Sequence, residues 1–206
     1  MNAPGIRRGR KFGQVLDGAR EVFLRDGFEG AAVDDIARCA CVSKATLYSY
    51  FPDKRLLFLE VAKSECRAQS EQAAARIEAS GDVRDVLRDA AGRMVRFFLS
   101  PVGRQVYRIV VAESDRFPEI GREFYESGPK MVHDLMRGFL ERATADGRLR
   151  VDDPALAADQ FGELCKAGLH MKMILGIQKS FTDAEIDRVI DGAVDVFMAR
   201  YGVDAG

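Results

Sequence analysis

The stretch CVSKATLYSYFPDK, residues 41–54, decides how this sequence is interpreted. Ser43 can cap a helix, and Pro52 disfavours helical backbone in the residue before it, so the stretch predicts a helix of about two turns. A helix this short is not stable by itself and must pack against neighbours. Its polar residues are hydroxyls, tyrosines and a lysine, which suit contact with a partner better than they suit a core.

A second short helix precedes this stretch, because apolar residues recur at helical spacing over residues 33–40. Three residues, 41–43, join the two helices, and small Ala37 lies where they are expected to cross. A tight turn between two such helices is a helix-turn-helix, whose second helix enters the major groove of DNA. The sequence therefore predicts a protein that binds double-stranded DNA.

The side chains on the predicted outer face have the chemistry that DNA contacts require. Lysine donates to guanine or to phosphate, alanine contacts the thymine methyl group, and hydroxyls bond phosphate oxygens. The N-terminus of the following helix attracts phosphate, and a basic N-terminal arm can lie along the duplex or enter the minor groove. The expected DNA-binding residues are Lys44, Ala45, Thr46, Tyr48, Ser49, Tyr50, Lys54, Arg8 and Arg10.

Composition and charge indicate a globular protein with an anionic partner at its N-terminal end. Of the 206 residues 47% are hydrophobic and 31% charged, which predicts a globular fold. The apolar runs are far shorter than the roughly 18 residues of a membrane span, and the start does not resemble a secretory signal. We therefore expect a cytoplasmic protein with no membrane partner. Residues 1–55 hold 10 Lys or Arg against 7 Asp or Glu although the net charge is −1, which favours an anionic partner at that end.

The four cysteines do not predict a metal site. Cys39 and Cys41 lack the two-residue gap and the nearby histidines of a zinc site, and Cys66 and Cys165 lie far away in the sequence. We expect reduced thiols, with no metal and no other cofactor. Redox sensing by Cys39 or Cys41 stays open as a less favoured alternative.

Residues 28–38, FEGAAVDDIAR, followed by VSKATLYSYF at 42–51 and by Asp53-Lys54, resemble the DNA-binding domain of TetR/AcrR-type transcriptional regulators. The resemblance implies an arm and helix-turn-helix domain at residues 1–52, and an α-helical regulatory and dimerisation domain at residues 53–206. It also implies a homodimer, most simply a repressor, that binds a near-palindromic operator and is released by a small apolar or amphipathic effector. Residues 103–125 and 147–154 are similar to AefR-like members of this family.

Two residues depart from the family pattern at the motif. Cys41 stands where the family usually has glycine, and if the turn needs a positive φ there, cysteine costs roughly 1–2 kcal/mol. Ala32 stands where serine or threonine often caps the second helix, a cap typically worth about 1 kcal/mol. Both departures predict weaker DNA binding without changing the fold.

The rest of the chain also has helical periodicity, so we predict an all-α fold of about nine or ten helices. Aromatic and methionine residues gather in the middle of the chain and suit a plastic ligand pocket, although ordinary core packing uses the same residue types. The candidate ligand-binding residues are Met94, Phe97, Phe98, Tyr107, Val110, Phe124, Met131, His133 and His170.

The last two predicted helices are the candidates for dimerisation. The final helix is apolar on more than one face, so one face can pack against its own domain and another against a partner. The candidate interface residues are Phe161, Leu164, Gly168, Ile186, Val189, Ile190, Ala193 and Phe197.

Two other functions compete with this one. A protein–protein interaction module could retain a degenerate helix-turn-helix, and Ala32 and Cys41 keep that alternative open. A small α-helical enzyme is less favoured, because the sequence has no Ser/His/Asp grouping, metal-ligand cluster or phosphate-binding glycine loop.

Overall fold

The computed structural model describes residues 11–64 and 82–203, and nearly all of the regular structure in these ranges is helical. Ten helices have both ends among the described residues, which confirms the predicted all-α fold. In chain order the helices are α1 (Phe12–Gly30), α2 (Val33–Cys39), α3 (Lys44–Tyr50), α4 (described over 54–64), α5 (Val83–Leu99), α6 (Pro101–Glu113), α7 (Pro118–Ser127), α8 (Pro129–Ala145), α9 (Pro154–Leu164), α10 (Leu169–Ile174) and α11 (Asp183–Tyr201). No helix in the described part of the chain is long and apolar enough to cross a membrane.

Contacts divide the chain into two compact units. Unit 1 comprises Met1–Arg67 with Gln105–Tyr125, and unit 2 comprises Ala68–Arg104 with Glu126–Gly206. Most of α6 and α7 therefore group by contacts with the N-terminal segment. In unit 1 the Arg55 guanidinium contacts the Glu113 carboxylate on α6, and the Lys63 ammonium lies 2.5 Å from the Glu123 carboxylate on α7. Side chains of α4 thus connect the N-terminal helices to this later segment.

Helices α1 and α2 of unit 1 cross where both have small residues. A Cβ atom placed on Gly18 would lie 2.5 Å from the backbone nitrogen of Ala40, so the two backbones touch at this point. On the same helix, Ile36 is fully buried and Ala37 is nearly so. Gly18 was not singled out from the sequence, which named Ala37 only for the crossing of α2 with α3. A close approach of this kind leaves no room for a larger side chain.

Helix α1 is interrupted at Gly27. Gly27 has a φ of 71° and a ψ of 176°, a non-helical conformation that glycine adopts readily. The last three residues of α1, up to Gly30, follow after this kink.

Unit 2 has one continuous core built by α5, α8, α9, α10 and α11. Its largest fully buried side chains include Leu87 on α5, Leu140 on α8, Phe161 on α9 and Phe197 on α11. Two of its helices have side-chain caps, since Asp153 accepts from Leu156 N at the start of α9 and Thr182 forms a capping box with Glu185 at the start of α11.

Helices α5 and α11 are also joined by ion pairs along their length. Arg84 contacts Asp195 at 2.6 Å, Arg88 contacts Asp191, and Arg96 lies 3.9 Å from Asp187. The arginines rise along α5 while their partners descend along α11, so the two helices run antiparallel. These pairs are half-exposed, and each adds little stability by itself.

The sequence predicted one helix where the structure has α9 and α10. Helix α9 ends at Leu164, and Gly168, with a φ of 71° that glycine adopts readily, is the residue before α10. Its positive φ keeps α9 and α10 from forming one continuous helix.

Candidate DNA-binding site

Helix α3 is fixed by a cap at its start and by buried side chains on one face. The Ser43 hydroxyl accepts from the Thr46 backbone N–H at 3.1 Å, as its predicted N-cap role requires. Leu47 and the adjoining Phe51 are almost completely buried, and the Phe51 ring lies 5.4 Å from the Phe12 ring of α1. A helix of seven residues is therefore held by its neighbours, as the sequence indicated.

The opposite face of α3 is open to solvent and carries most of the predicted DNA-binding residues. Lys44, Ala45, Tyr48 and Ser49 are exposed, and Tyr48 keeps 48% of its surface accessible. The Ser49 hydroxyl donates to the Thr46 carbonyl at 2.6 Å, and its lone pairs remain acceptors. This face is a contiguous polar surface that can donate to and accept from a partner.

Two predicted contact residues of α3 also have structural roles. The half-buried Thr46 shares a 2.9 Å hydrogen bond with the Ser43 hydroxyl. The Tyr50 ring packs edge-on against Phe12 at 6.0 Å. Each therefore stabilises the motif in addition to any role at DNA.

Lys54 is placed differently from what the sequence predicted. Its ammonium donates to the carbonyls of Phe28 at 2.8 Å and Ala31 at 3.2 Å, and it lies 4.6 Å from the centroid of the Phe28 ring. These contacts join the start of α4 to the end of α1, a structural role that the sequence did not predict for Lys54. The interaction was not evident from sequence because it pairs a side chain with backbone carbonyls more than 20 residues away.

The start of α4 carries its own carboxylate. Asp53 accepts from the Arg55 backbone N–H at 2.7 Å and also from the Arg55 guanidinium. The Arg55 hydrogen bonds hold the pKa of Asp53 below its usual value, so this carboxylate is charged at neutral pH. The Asp53 carboxylate therefore lies at the helix N-terminus where we expected a phosphate contact. Arg8 and Arg10 of the predicted basic arm lie outside the described residues.

Cys41 and Ala32, the two residues that depart from the family pattern, have the backbone geometry that the sequence suggested. Cys41 has a φ of 52° and is the one non-glycine residue with a positive φ among residues 11–64 and 82–203. Ala32 precedes α2 in extended conformation and provides no side-chain cap. Asp34 and Asp35 follow in the first turn of α2, where carboxylates favour the positive end of the helix dipole.

The cysteines at this turn give limited support to redox sensing. The Cys39 thiol donates to the Glu21 carboxylate at 3.2 Å, and this contact raises the pKa of Cys39, which lowers its thiolate fraction. Burial raises the pKa of Cys165 to about 12. Cys66 lies outside the described residues, and within them no three His, Cys, Asp or Glu side chains come together as metal ligands.

Replacing Cys41 with glycine is expected to stabilise the protein by about 1 kcal/mol, because glycine adopts positive φ without the steric cost of a Cβ atom. The midpoint of urea unfolding measures the change. Cys41→Ala is the matched control, since it removes the thiol but keeps the Cβ atom. Equal stability of Cys41→Gly and Cys41→Ala would show that the turn is not strained.

The predicted ligand-binding residues divide between the two units. Tyr107, Val110 and Phe124 belong to unit 1, whereas Met94, Phe97, Phe98, Met131, His133 and His170 belong to unit 2. Within unit 2 the Phe98 ring lies 6.3 Å from the Phe97 ring and 5.4 Å from the His170 ring. Burial lowers the pKa of His170, so its imidazole is neutral at pH 7. These three rings form an aromatic cluster within unit 2.

His133 is held by the start of α9 instead of by this aromatic group. Its Nε2 lies 3.2 Å from the Ala155 carbonyl, and its Nδ1 lies 3.4 Å from the Asp134 carboxylate. A groove of about 450 Å³ between α5 and α11 contains none of the predicted ligand residues and is lined mainly by Asp85, Arg88, Asp89, Arg93, Arg96 and Asp187. Its charged walls do not suit the apolar effector expected from the sequence.

Half of the predicted dimer residues face the core of their own chain. Phe161, Ile190, Ala193 and Phe197 are each no more than 3% exposed, so in this conformation they pack inside their own chain. Ile186, Val189 and Leu164 are partly buried against the same core. Helical periodicity alone does not show which of two apolar faces points inward.

Helix α11 has a second apolar stripe that faces outward. Val189, Gly192, Val196 and Ala199 recur at steps of three, four and three residues. Gly192 and Ala199 are exposed, and Val196 is 55% exposed. This alternating spacing is typical of a seam between two helices, and it is visible in the sequence once the inner stripe has been separated from it.

Two family models cover most of the chain. Residues 15–61 match the model of bacterial regulatory proteins of the tetR family. Residues 85–203, more than half of the chain, match the C-terminal domain of AefR-like transcriptional repressors. The chain belongs to the TetR family of transcriptional regulators. The resemblance seen in the helix-turn-helix and the AefR-like resemblance seen further along the sequence are both confirmed.

Relatives of this TetR-family chain cover most of its length. A solved structure of the flavonoid-responsive regulator FrrA is 35% identical, covers 96% of this chain and 100% of its own, and has a TM-score of 0.65. A Mesorhizobium loti MAFF303099 structure, classed as a TetR-family transcriptional regulator, is 28% identical, covers 96% and 99%, and has a TM-score of 0.79. The uncharacterized HTH-type transcriptional regulator YezE of Bacillus subtilis strain 168 is 29% identical over 147 residues, 70% of this chain and 75% of its own. These matches point to a transcriptional regulator.

Proposed function

We propose that this TetR-family chain is a dimeric, ligand-responsive repressor that binds a near-palindromic DNA operator in the cytoplasm. The observation that carries the proposal is the exposed polar face of α3, which rests on the buried Leu47 and Phe51. A short helix with a fixed inner face and a free outer face is the geometry of a recognition helix.

The proposed base-reading residues are the exposed side chains of α3. Lys44 can donate to guanine, Ala45 can contact a thymine methyl group, and Tyr48 and Ser49 can bond phosphate or base edges. Tyr50 can extend its hydroxyl to a phosphate while its ring packs on Phe12. We assign Lys54 a positioning role, because its ammonium is already bonded to the end of α1.

The proposed dimer uses the outer stripe of α11, and two features support this. Three of the four residues of the stripe, Gly192, Val196 and Ala199, are exposed, although the inner face of the same helix is used in the core of its own chain. Gly192 has no other atom within 4 Å of where its Cβ would be, so it leaves room for a partner helix. In such a dimer the two recognition helices would enter successive major grooves about 34–36 Å apart.

Replacing Val196 with arginine is expected to convert the dimer to monomer and to weaken operator binding, because it places a charge in an apolar seam. Sedimentation velocity at micromolar concentration measures the oligomeric state. Val111→Arg is the matched control, since Val111 is 59% exposed on α6 and outside the stripe. A Val196→Arg variant that stays dimeric would place the interface elsewhere.

The proposed effector is a small aromatic compound. FrrA is described as flavonoid-responsive, and in this chain Phe97, Phe98 and His170 present aromatic rings next to a neutral imidazole that can donate or accept. Such a compound would release DNA only to the extent that it binds the non-binding conformation more tightly. Titrating flavonoids and smaller phenols into the operator complex tests this part of the proposal.

In-vitro selection of DNA by the purified protein, repeated at higher salt, tests the main proposal. Enrichment of a near-palindrome with half-sites about one helical turn apart is expected, with affinity that falls as salt rises. A folded protein that enriches no sequence would contradict the proposal and favour an interaction module with a degenerate helix-turn-helix.

A further inference from the structure

The first turns of the two motif helices are joined by an ion pair. Asp34 in the first turn of α2 contacts the ammonium of Lys44, the first residue of α3. Both side chains remain more than half exposed, at 55% and 57%. The pair therefore lies on the surface of the motif, next to the exposed face of α3 that carries Ala45, Tyr48 and Ser49.

Asp34 favours the uncapped start of α2, but its carboxylate places a negative charge beside the proposed DNA-binding face. Because Ala32 cannot cap α2, the free N–H groups of its first turn favour nearby carboxylates. A carboxylate beside a recognition helix repels DNA phosphates unless a cation neutralises it. Lys44 provides that cation, and it is the one charged residue in the sequence of α3, KATLYSY. The pairing therefore sets the net charge at the start of the recognition helix.

The number of N–H donors left on the Lys44 ammonium indicates which group of the DNA it can bind. An ammonium has three N–H donors, and the contact with Asp34 engages one of them. Two donors remain, and guanine presents two acceptors, O6 and N7, in the major groove. A lysine without a partner can instead bond any phosphate, which adds affinity but no sequence information.

We propose that Asp34 is a specificity-determining residue, which holds the Lys44 ammonium toward a guanine in each half-site and withholds it from the phosphates. This inference rests on the proposed function, because it assigns a role within the DNA-binding site. Asp34 acts through Lys44 and need not touch DNA itself.

Asp34→Asn is expected to bind DNA of all sequences more tightly. Its preference for guanine over the other bases at one position of the half-site is expected to fall roughly tenfold. The freed ammonium would take up about one further phosphate, so the slope of log K against log salt would steepen by about 0.9. Affinities for the selected operator and for its guanine-substituted versions, each at several salt concentrations, measure both effects. Asp34→Ser is a second variant that keeps a residue suited to a helix start.

Asp35→Asn is the matched control. It removes the same charge one residue away, but Asp35 pairs with Arg38 at 3.0 Å on its own helix instead of with Lys44. This control is expected to keep the guanine preference of the wild type. A general effect of charge would change the base preference equally in both variants, which would overturn the proposal.

A double-mutant cycle with Lys44→Ala completes the test. In the Lys44→Ala background, Asp34→Asn is expected to leave base preference unchanged, because the residue through which it acts is gone. If the wild type selects an operator and Asp34→Asn keeps its guanine preference, the role of Asp34 is overturned and the DNA-binding function stands. A wild type that selects no sequence overturns both.

Discussion

Replacing Lys44 and Tyr48 together with alanine is expected to lower affinity for the selected operator roughly 100-fold or more. Both side chains are exposed on α3, so their loss removes DNA contacts without opening a cavity in the core. Binding to unrelated DNA should fall much less, because other cationic groups still contact phosphates. Fluorescence anisotropy with labelled operator and with a scrambled duplex measures the two affinities.

The fold and the oligomeric state of this double variant should match the wild type. Leu24→Ala is a suitable control, since Leu24 is exposed on α1 and not on α3, and its replacement is expected to leave operator affinity unchanged. If a folded Lys44→Ala, Tyr48→Ala protein still bound the operator, the assignment of α3 as the recognition helix would be contradicted.

Replacing Gly18 with alanine is expected to destabilise the protein by about 3 kcal/mol and to abolish operator binding. The new Cβ atom would lie 2.5 Å from the Ala40 nitrogen and 2.8 Å from its Cα. Backbone atoms cannot rotate away as a side chain can, so α1 and α2 must move apart. Urea unfolding followed by circular dichroism measures the loss of stability.

Gly13→Ala provides the matched control on the same helix. No atom lies within 4 Å of where its Cβ would be, and alanine has the higher helix propensity, so this change is expected to be neutral or slightly stabilising. If Gly18→Ala were equally harmless, the close crossing of α1 and α2 would not exist in solution.

The sequence predicted the features that depend on short-range chemistry. The cap at Ser43 and the exposed face of α3 follow from residue types and from spacing within one or two helical turns. The positive φ at Cys41 was anticipated because the family usually has glycine there. Each of these features is decided by neighbours in the chain, and so the local sequence contains the information.

Features that depend on distant contacts could not be predicted in the same way. Gly18 gives no sign in the sequence that Ala40 touches it, and Lys54 is drawn away from the solvent by the carbonyls of Phe28 and Ala31. The inner and outer stripes of α11 are both apolar, so residue type does not distinguish them. Only the position of the core shows which stripe faces inward. The residue type of Gly168 does not show that its φ is positive, and this conformation is what separates α9 from α10.

The positive φ of Cys41 also bears on how the motif folds. A cysteine does not favour this conformation, so the turn between α2 and α3 is not preorganised in the unfolded chain. The two helices gain their mutual orientation only when they dock on α1, through contacts such as Gly18 with Ala40 and Phe12 with Phe51. Residues 33–50 therefore form a dependent part of a larger folding unit, and a graft of this motif into another protein would have to carry α1 with it.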